Sequence, residues 1–142
     1  MTSTPRSPTT SSPRSKSRSN LLLDTHVFLW WCQDSPNLSR RARDDIGAAD
    51  TVYVSLASAW ETAIKVSLGK LRFEIPFAFG VQTSGFHPLP ITFEHAERLT
   101  TLPPHHGDPF DRMLIAQAQI EGLSIVTHDD RFEPYAVEVA WV

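Results

Sequence analysis

Four acidic residues stand where packing alone gives little reason for an acid. Asp24 ends the run Leu21-Leu22-Leu23, and Glu61 sits inside the apolar stretch LASAWETAI. Asp111 follows Asp108 by three positions in GDPFDR, and Asp129 lies in IVTHDD. Carboxylates gathered at one point repel one another and resist ionising. Divalent cations remove that cost. Hard Mg²⁺, with Mn²⁺ as a substitute, takes oxygen ligands and keeps several waters. Such ions neutralise charge on a phosphodiester and make water a better nucleophile, and either one or two of them fit this donor set.

For that chemistry the chain must bring residues more than a hundred positions apart to one place. Leu21–Leu23 read as a short buried strand, TVYVS (51–55) as a second and LSIVT (123–127) as another. Between them, 27–32 read as a buried helix start and 36–43 as the beginning of another helix. LASAWETAIKVSLG has helical spacing with Gly69 as its stop, and Thr92 reads as the N-cap of a helix through Leu99. FDRMLIAQAQIE is a helix opened by Asp108 and Pro109 and closed by Gly122. Residues 75–85 read as irregular, 86–89 as a short strand weakened by Pro88, and 136–141 as a last, edge strand. Strands alternating with helices imply an α/β fold with a parallel sheet covered on both faces. Ligands of such sheets bind beyond the carboxyl ends of the strands. Asp24 and Asp129 follow strand ends, and Asp111 and Glu61 lie early in helices that start at the same rim, so the four acids converge.

Each acid also has an ordinary explanation. Glu61 can pair with Lys65 four residues on, and Ser58-x-x-Glu61 matches a capping box. Asp111 suits a helix N-terminus through the dipole. Asp108 is best explained as the cap itself, and Asp129 and Asp130 suit a turn. Asp24 is the hardest to explain structurally. His105, His106 and His128 lack a Cys or His partner at zinc-site spacing; His26 and His106 fit hydrogen bonding near the site or contact with RNA. The four tryptophans fit core or dimer contacts, and the lone Cys32 a small buried hydrophobe.

The 142 residues, 41% hydrophobic, suit one domain with a real core. Four of the 13 basic residues (Arg6, Arg14, Lys16, Arg18) lie in 1–19 with no acid, which leaves 9 basic against 16 acidic residues in the remainder, a net of −7. That argues against simple electrostatic capture of nucleic acid by the body, and leaves room for a nucleic-acid enzyme whose carboxylate site is negative until its cations bind. Residues 1–19 are Ser/Pro/Arg-rich with no apolar periodicity, and read as a disordered tail without the apolar stretch of a secretory signal. No apolar run has the length of a membrane span. A single Cys allows no internal disulfide and fits a cytoplasmic setting.

The segments LLLDTHVFLWW, VSLASAWETAIKVSLGKL, HHGDPFDRMLIAQAQ and IVTHDDRFEPYAVEV, in this order, resemble the PIN-domain nucleases, in particular those of VapC type. The resemblance implies a PIN-like three-layer α/β/α sandwich over 20–142 with a central parallel sheet. It also implies Mg²⁺-dependent endoribonuclease activity, commonly on tRNA or other structured RNA. The family's four acids fall on Asp24, Glu61, Asp111 and Asp129, with Thr25, Asp108 and Asp130 in support. Thr25 would orient the Asp24 carboxylate or a water. Gly107 stands where related sequences often carry a basic residue. Nucleases of VapC type are the toxins of bacterial toxin–antitoxin modules, so the resemblance also implies a homodimer, usual among them, and silencing by a small VapB-like antitoxin, for which apolar surface at 27–31 and 56–64 would supply a groove. The competing readings are an RNA-processing PIN nuclease without an antitoxin, a nuclease-dead scaffold that only binds a partner, and a phosphohydrolase of small substrates. The four acids argue against the scaffold. The lack of a second Asp two residues after the first, and of a Gly-rich phosphate loop, argues against the phosphohydrolase.

Overall fold

The computed structural model describes residues 20–142; the reading of 1–19 as a disordered tail lies outside the described residues. The five strands are β1 (Asn20–Leu23), β2 (Thr51–Ser55), β3 (His87–Leu89), β4 (Ser124–Thr127) and β5 (Val139–Trp141). They form one sheet in the order β3-β2-β1-β4-β5, and every neighbouring pair is parallel. One register row runs His87, Tyr53, Leu22, Ile125, Val139 across the sheet.

The period-two alternation of β1 sorts the core into two halves. Leu21 and Leu23 face one side with Val52, Val54 and Val126, and α1 (Thr25–Cys32), α2 (Arg40–Ala48) and α4 (Phe77–Thr83) cover them. Leu22 and Ile125 face the other, under α3 (Leu56–Ser67), α6 (Pro109–Glu121) and the turn that follows α5 (Phe93–Arg98). The result is a three-layer α/β/α sandwich. Leu22, Leu23, Phe28, Leu114, Ile115 and Phe132 are fully buried, each worth about 1.5–3 kcal/mol over exposure.

Several sequence readings are adjusted. Residues 75–85 are not irregular: Pro76 starts α4, whose Gly80 lies where a Cβ would come 3.1 Å from Cys32 Sγ and 3.3 Å from Phe28 Cζ. Close packing on α1 makes that helix, against the poor propensity of FAFGVQT. α2 begins at Arg40, not near 36, because the Ser39 hydroxyl accepts from the Ala42 N–H. The cap of α3 is Ser55, which accepts from the Ala57 N–H, so Ser58 makes no capping box with Glu61. The last strand shortens to Val139–Trp141, at one sheet edge, and Pro88 lies in β3 at the other. Val27, Phe28 and Leu29 are buried in the core and offer no groove surface, whereas Leu56 and Trp60 of α3 are exposed. Thr92 and His95 form a capping box on α5. Gly122 ends α6 at φ 70°, a conformation glycine adopts without a side-chain penalty. Among the described residues no helix is long and apolar enough to cross a membrane.

Candidate active site at the strand rim

Asp24 extends β1 by one step. Its N–H donates to the Val126 carbonyl at 2.9 Å, which fixes the residue at the sheet's carboxyl edge. Its side chain is 5% exposed and accepts a hydrogen bond from Thr127 Oγ1 at 2.7 Å. The same Thr127 hydroxyl accepts the Asp129 N–H at 3.0 Å, so one threonine at the end of β4 ties the first acid to the loop of the fourth. Burial pushes the Asp24 carboxyl up from its ordinary value, with Glu61 adding to the rise, against the Thr127 hydrogen bond, which lowers it.

Thr25 meets the Asp24 carboxylate through its backbone N–H, which favours the charged form, and not through its hydroxyl. Its Oγ1 donates to Ser58 Oγ at 2.8 Å, a buried bond that clamps the start of α1 against α3. One turn beyond Ser58 on α3, Glu61 is buried; Oε2 accepts from Lys65 Nζ at 2.8 Å, and Oε1 is buried with no hydrogen-bond partner. An orphaned carboxylate oxygen in such a place is costly.

Asp108 caps α6 by accepting from the Phe110 and Asp111 N–H groups at 2.8 and 3.1 Å. Its carboxylate is thereby committed, and Asp111 one turn in is the acid that faces the centre. The Asp108 N–H donates to His106 Nδ1 at 3.3 Å. A backbone N–H can only donate, so Nδ1 carries the lone pair and the neutral ring holds its proton on Nε2. That proton points to Asp111 Oδ2, 2.8 Å away. His106 thus holds Asp111 in place instead of offering it a competing lone pair. Burial, reinforced by the like charges of Asp24, Asp108, Glu61 and Asp129, raises the Asp111 carboxyl to about 8. Asp129 is the opposite case: Arg131 grips both its oxygens, Nη2 to Oδ2 at 2.7 Å and Nε to Oδ1 at 3.0 Å, and holds its carboxyl below the usual range. Asp130 is exposed in the turn that follows and bonds nothing with its carboxylate among the described residues.

The fold therefore gathers Asp24, Glu61, Asp111 and Asp129 into one electrostatic cluster at the carboxyl ends of β1 and β4; Asp108 caps α6 and adds its charge to the same cluster, and Asp130 stays outside. Ligand atoms of His106, Asp111 and Asp129 lie within 4.8 Å of one another. The donor set fits a hard divalent cation: carboxylate oxygens predominate, one Glu61 oxygen lacks a partner, and Asp111 is ionised at neutral pH only if positive charge arrives. Thr127 and Ser58 were invisible as site residues in the sequence, because each reads as an ordinary strand or helix position. Arg131, two residues past Asp129, carried a local signal, as did Lys65, four residues past Glu61.

Comparison with known proteins places the chain in a family. The sequence profile of the PIN domain matches residues 21–138. Ribonuclease VapC22 of Mycobacterium tuberculosis is 32% identical over 118 residues, which span 81% of this chain and 91% of that protein. Of solved structures, VapBC2 from Rickettsia felis, bound to a DNA fragment from its promoter, superposes with a TM-score of 0.64 at 11% identity, covering 85% of this chain and 97% of the other. VapBC-5 of Mycobacterium tuberculosis, a member of the VapBC family of toxin–antitoxin systems, gives 0.59 at 21% identity, covering 87% and 99%. At those identities the two structures speak for the fold.

Proposed function

The chain belongs to the PIN-domain family, and from that premise we propose that it is a divalent-metal-dependent endoribonuclease, the toxin half of a VapBC-type pair. The observation that carries the reading is the buried acid cluster, with Asp111 raised to about 8 and a Glu61 oxygen left without a partner. Asp24, Glu61, Asp111 and Asp129 would hold Mg²⁺, or Mn²⁺ in its place. When bound, such an ion acidifies a water and neutralises the charge that develops on a phosphodiester during in-line displacement. The chain's own residues prepare the centre. Thr127 fixes the Asp24 carboxylate, His106 fixes that of Asp111, and the Thr25–Ser58 bond holds the start of α1, next to Asp24, against α3, which carries Glu61. Residues 20–142 are the catalytic PIN domain. The substrate is tRNA or another structured RNA, and the working form is a homodimer.

A VapB-like antitoxin would cover this rim. Its apolar helix face fits the cleft of about 560 Å³ lined by Val54, Leu56, Phe77, Val81 and Phe86. The body's net charge of −7 from residue 20 on, 9 basic against 16 acidic of the chain's total, suits a basic inhibitory side chain placed among the acids.

The test is cleavage of total cellular RNA by purified protein with Mg²⁺ or Mn²⁺, with EDTA, and with Asp24→Ala as the contamination control. Discrete fragments that vanish with EDTA and in the variant are expected. Intact RNA in every metal, from folded protein free of partner, would sink the reading.

A further inference from the structure

The chain has only two lysines beyond residue 19, Lys65 and Lys70, and both line one cleft of about 270 Å³ together with Thr25, His26 and Thr62. Local structure explains the pairing. α3 ends at Ser67, Gly69 turns the chain at φ 72°, and the Lys70 N–H closes onto the Lys65 carbonyl at 2.9 Å. The two ammonium stems therefore emerge side by side at the end of the helix that carries Glu61. The cleft adjoins the acid centre: Thr25 follows Asp24 directly, and Lys65 Nζ bonds Glu61 Oε2 at 2.8 Å. Lys65 is partly committed to that bond. Lys70 forms no ion pair among the described residues, and Thr62 brings a buried hydroxyl that has no hydrogen-bond partner. In a body of strongly acidic balance, this is a local reversal of sign beside the one place where the acids gather.

We propose that this cleft is a subsite for a backbone phosphate of the RNA strand flanking the bond to be cut, with Lys70 as its free cation and Lys65 linking it to Glu61. The inference rests on the endoribonuclease reading above. A strand whose scissile phosphate lies at the acids must pass its next phosphates over the walls of that centre; the wall formed by α3 and the Lys65–Lys70 turn carries two cations, Lys70 without an ion pair among the described residues, whereas Arg131 on the other wall is committed to Asp129. The cleft is small and of mixed lining, with Leu29 and Leu71 beside the two lysines, the two threonines and His26, and its size suits a single phosphate. An inhibitor's apolar helix finds its larger, apolar cleft elsewhere, around Phe77 and Phe86. Lysine contacts of this kind position a strand without reading its sequence.

Lys70→Ala is the informative change because it leaves the Lys65–Glu61 bond in place. Binding of a short, end-labelled single-stranded RNA is followed by fluorescence anisotropy against salt concentration, in an Asp24→Asn background with Mg²⁺ so that the strand stays intact. Lys70→Ala should weaken binding several-fold at low salt. It should make the slope of log K against log salt shallower by about 0.7, the share of one phosphate contact on a single strand. Lys70→Arg should keep both, and Arg41→Ala, which removes the same charge from α2, should leave the slope unchanged. In the otherwise unaltered chain, Lys70→Ala should raise KM and keep kcat near the parent's value, as for loss of uniform binding. An unaltered slope and KM in Lys70→Ala, or an equal loss in Arg41→Ala, overturns the subsite; so does a Lys70→Ala change that weakens only the complex with a protein inhibitor. A Lys70-dependent slope in a protein that cleaves nothing keeps the subsite and sinks the nuclease reading. Cleavage with an indifferent Lys70 does the reverse, and a parent that binds no RNA sinks both.

Discussion

Asp111 and Asp129 flank one imidazole: His106 Nε2 is 2.8 Å from an oxygen of the first and 4.0 Å from an oxygen of the second. Their surroundings differ. Asp111 is 8% exposed, capped into the first turn of α6 and surrounded by other acids, and its carboxyl rises to about 8. Asp129 sits on the loop after β4 with an arginine on both oxygens and is held below its ordinary range. One acid waits for a cation, and the other already has one. The buried end of the cluster is thus where metal binding gains most, and the outer end is where it must displace or share an existing partner.

The largest expected effect comes from removing the buried charge. Asp111→Asn is nearly isosteric with the protonated carboxyl and keeps an acceptor for the His106 Nε2–H. It should fold, yet lose at least about a thousandfold in metal-dependent cleavage, the several kcal/mol that a metal's charge stabilisation is worth. Isothermal titration with Mn²⁺ alongside cleavage assays checks it. Full activity in this variant would move the centre away from Asp111 and dissolve the contrast with Asp129.

The contrast also predicts how stability depends on pH without metal. The Asp111 carboxyl titrates near 8 in the folded protein against an ordinary value of 3.8. Between those values the folded state holds a proton that the unfolded chain has released. Raising the pH across that window therefore destabilises the metal-free protein, by up to a few kcal/mol from this group. Below the window both states are protonated and the contribution vanishes; above about 8 the full penalty is present. Thermal unfolding in EDTA should show Tm falling as pH rises through this range. Saturating Mg²⁺ should flatten the trend, and Asp111→Asn should remove most of it. A metal-free Tm that climbs across the same range would contradict the burial argument.

What the sequence made legible follows the same division. Asp24 announced itself because an acid after three leucines is incongruous, and the alternation Leu21, Leu22, Leu23 carried both faces of the sandwich. Asp108 and Pro109 marked the start of α6 to the residue, because capping is written in local chemistry. The contacts that tune the acids were hidden. Thr127 reaches Asp24 across 103 positions, and the Thr25 hydroxyl turns to Ser58 because α1 and α3 meet there, which no local pattern encodes. Helix α4 escaped for a similar reason: its Gly80 lowers helix propensity, and only the face of Phe28 and Cys32 makes that glycine useful.

The smallest effects should come from the outer pair. Asp129 and Asp130 are adjacent acids in one turn, and the family resemblance puts the fourth acid on Asp129 with Asp130 in support. The structure separates them by what each carboxylate touches: Asp129 bonds Arg131 and lies near His106, whereas the exposed Asp130 carboxylate makes no hydrogen bond among the described residues. Asp129→Asn should cost about tenfold in metal affinity, at the lower end of the range for groups that support a metal site, because Arg131 already offsets part of its charge. Asp130→Asn should leave affinity and kcat/KM within error. Its surface charge is screened, and exposed pairs contribute little even when they form. Arg131→Ala sharpens the comparison: it releases Asp129 and should bring its carboxyl back toward the ordinary range, so that Asp129→Asn then costs more than it does with the arginine present. If Asp130→Asn costs more than Asp129→Asn, the turn presents the other acid to the ion, and the role of Arg131 is to keep Asp129 out of the centre.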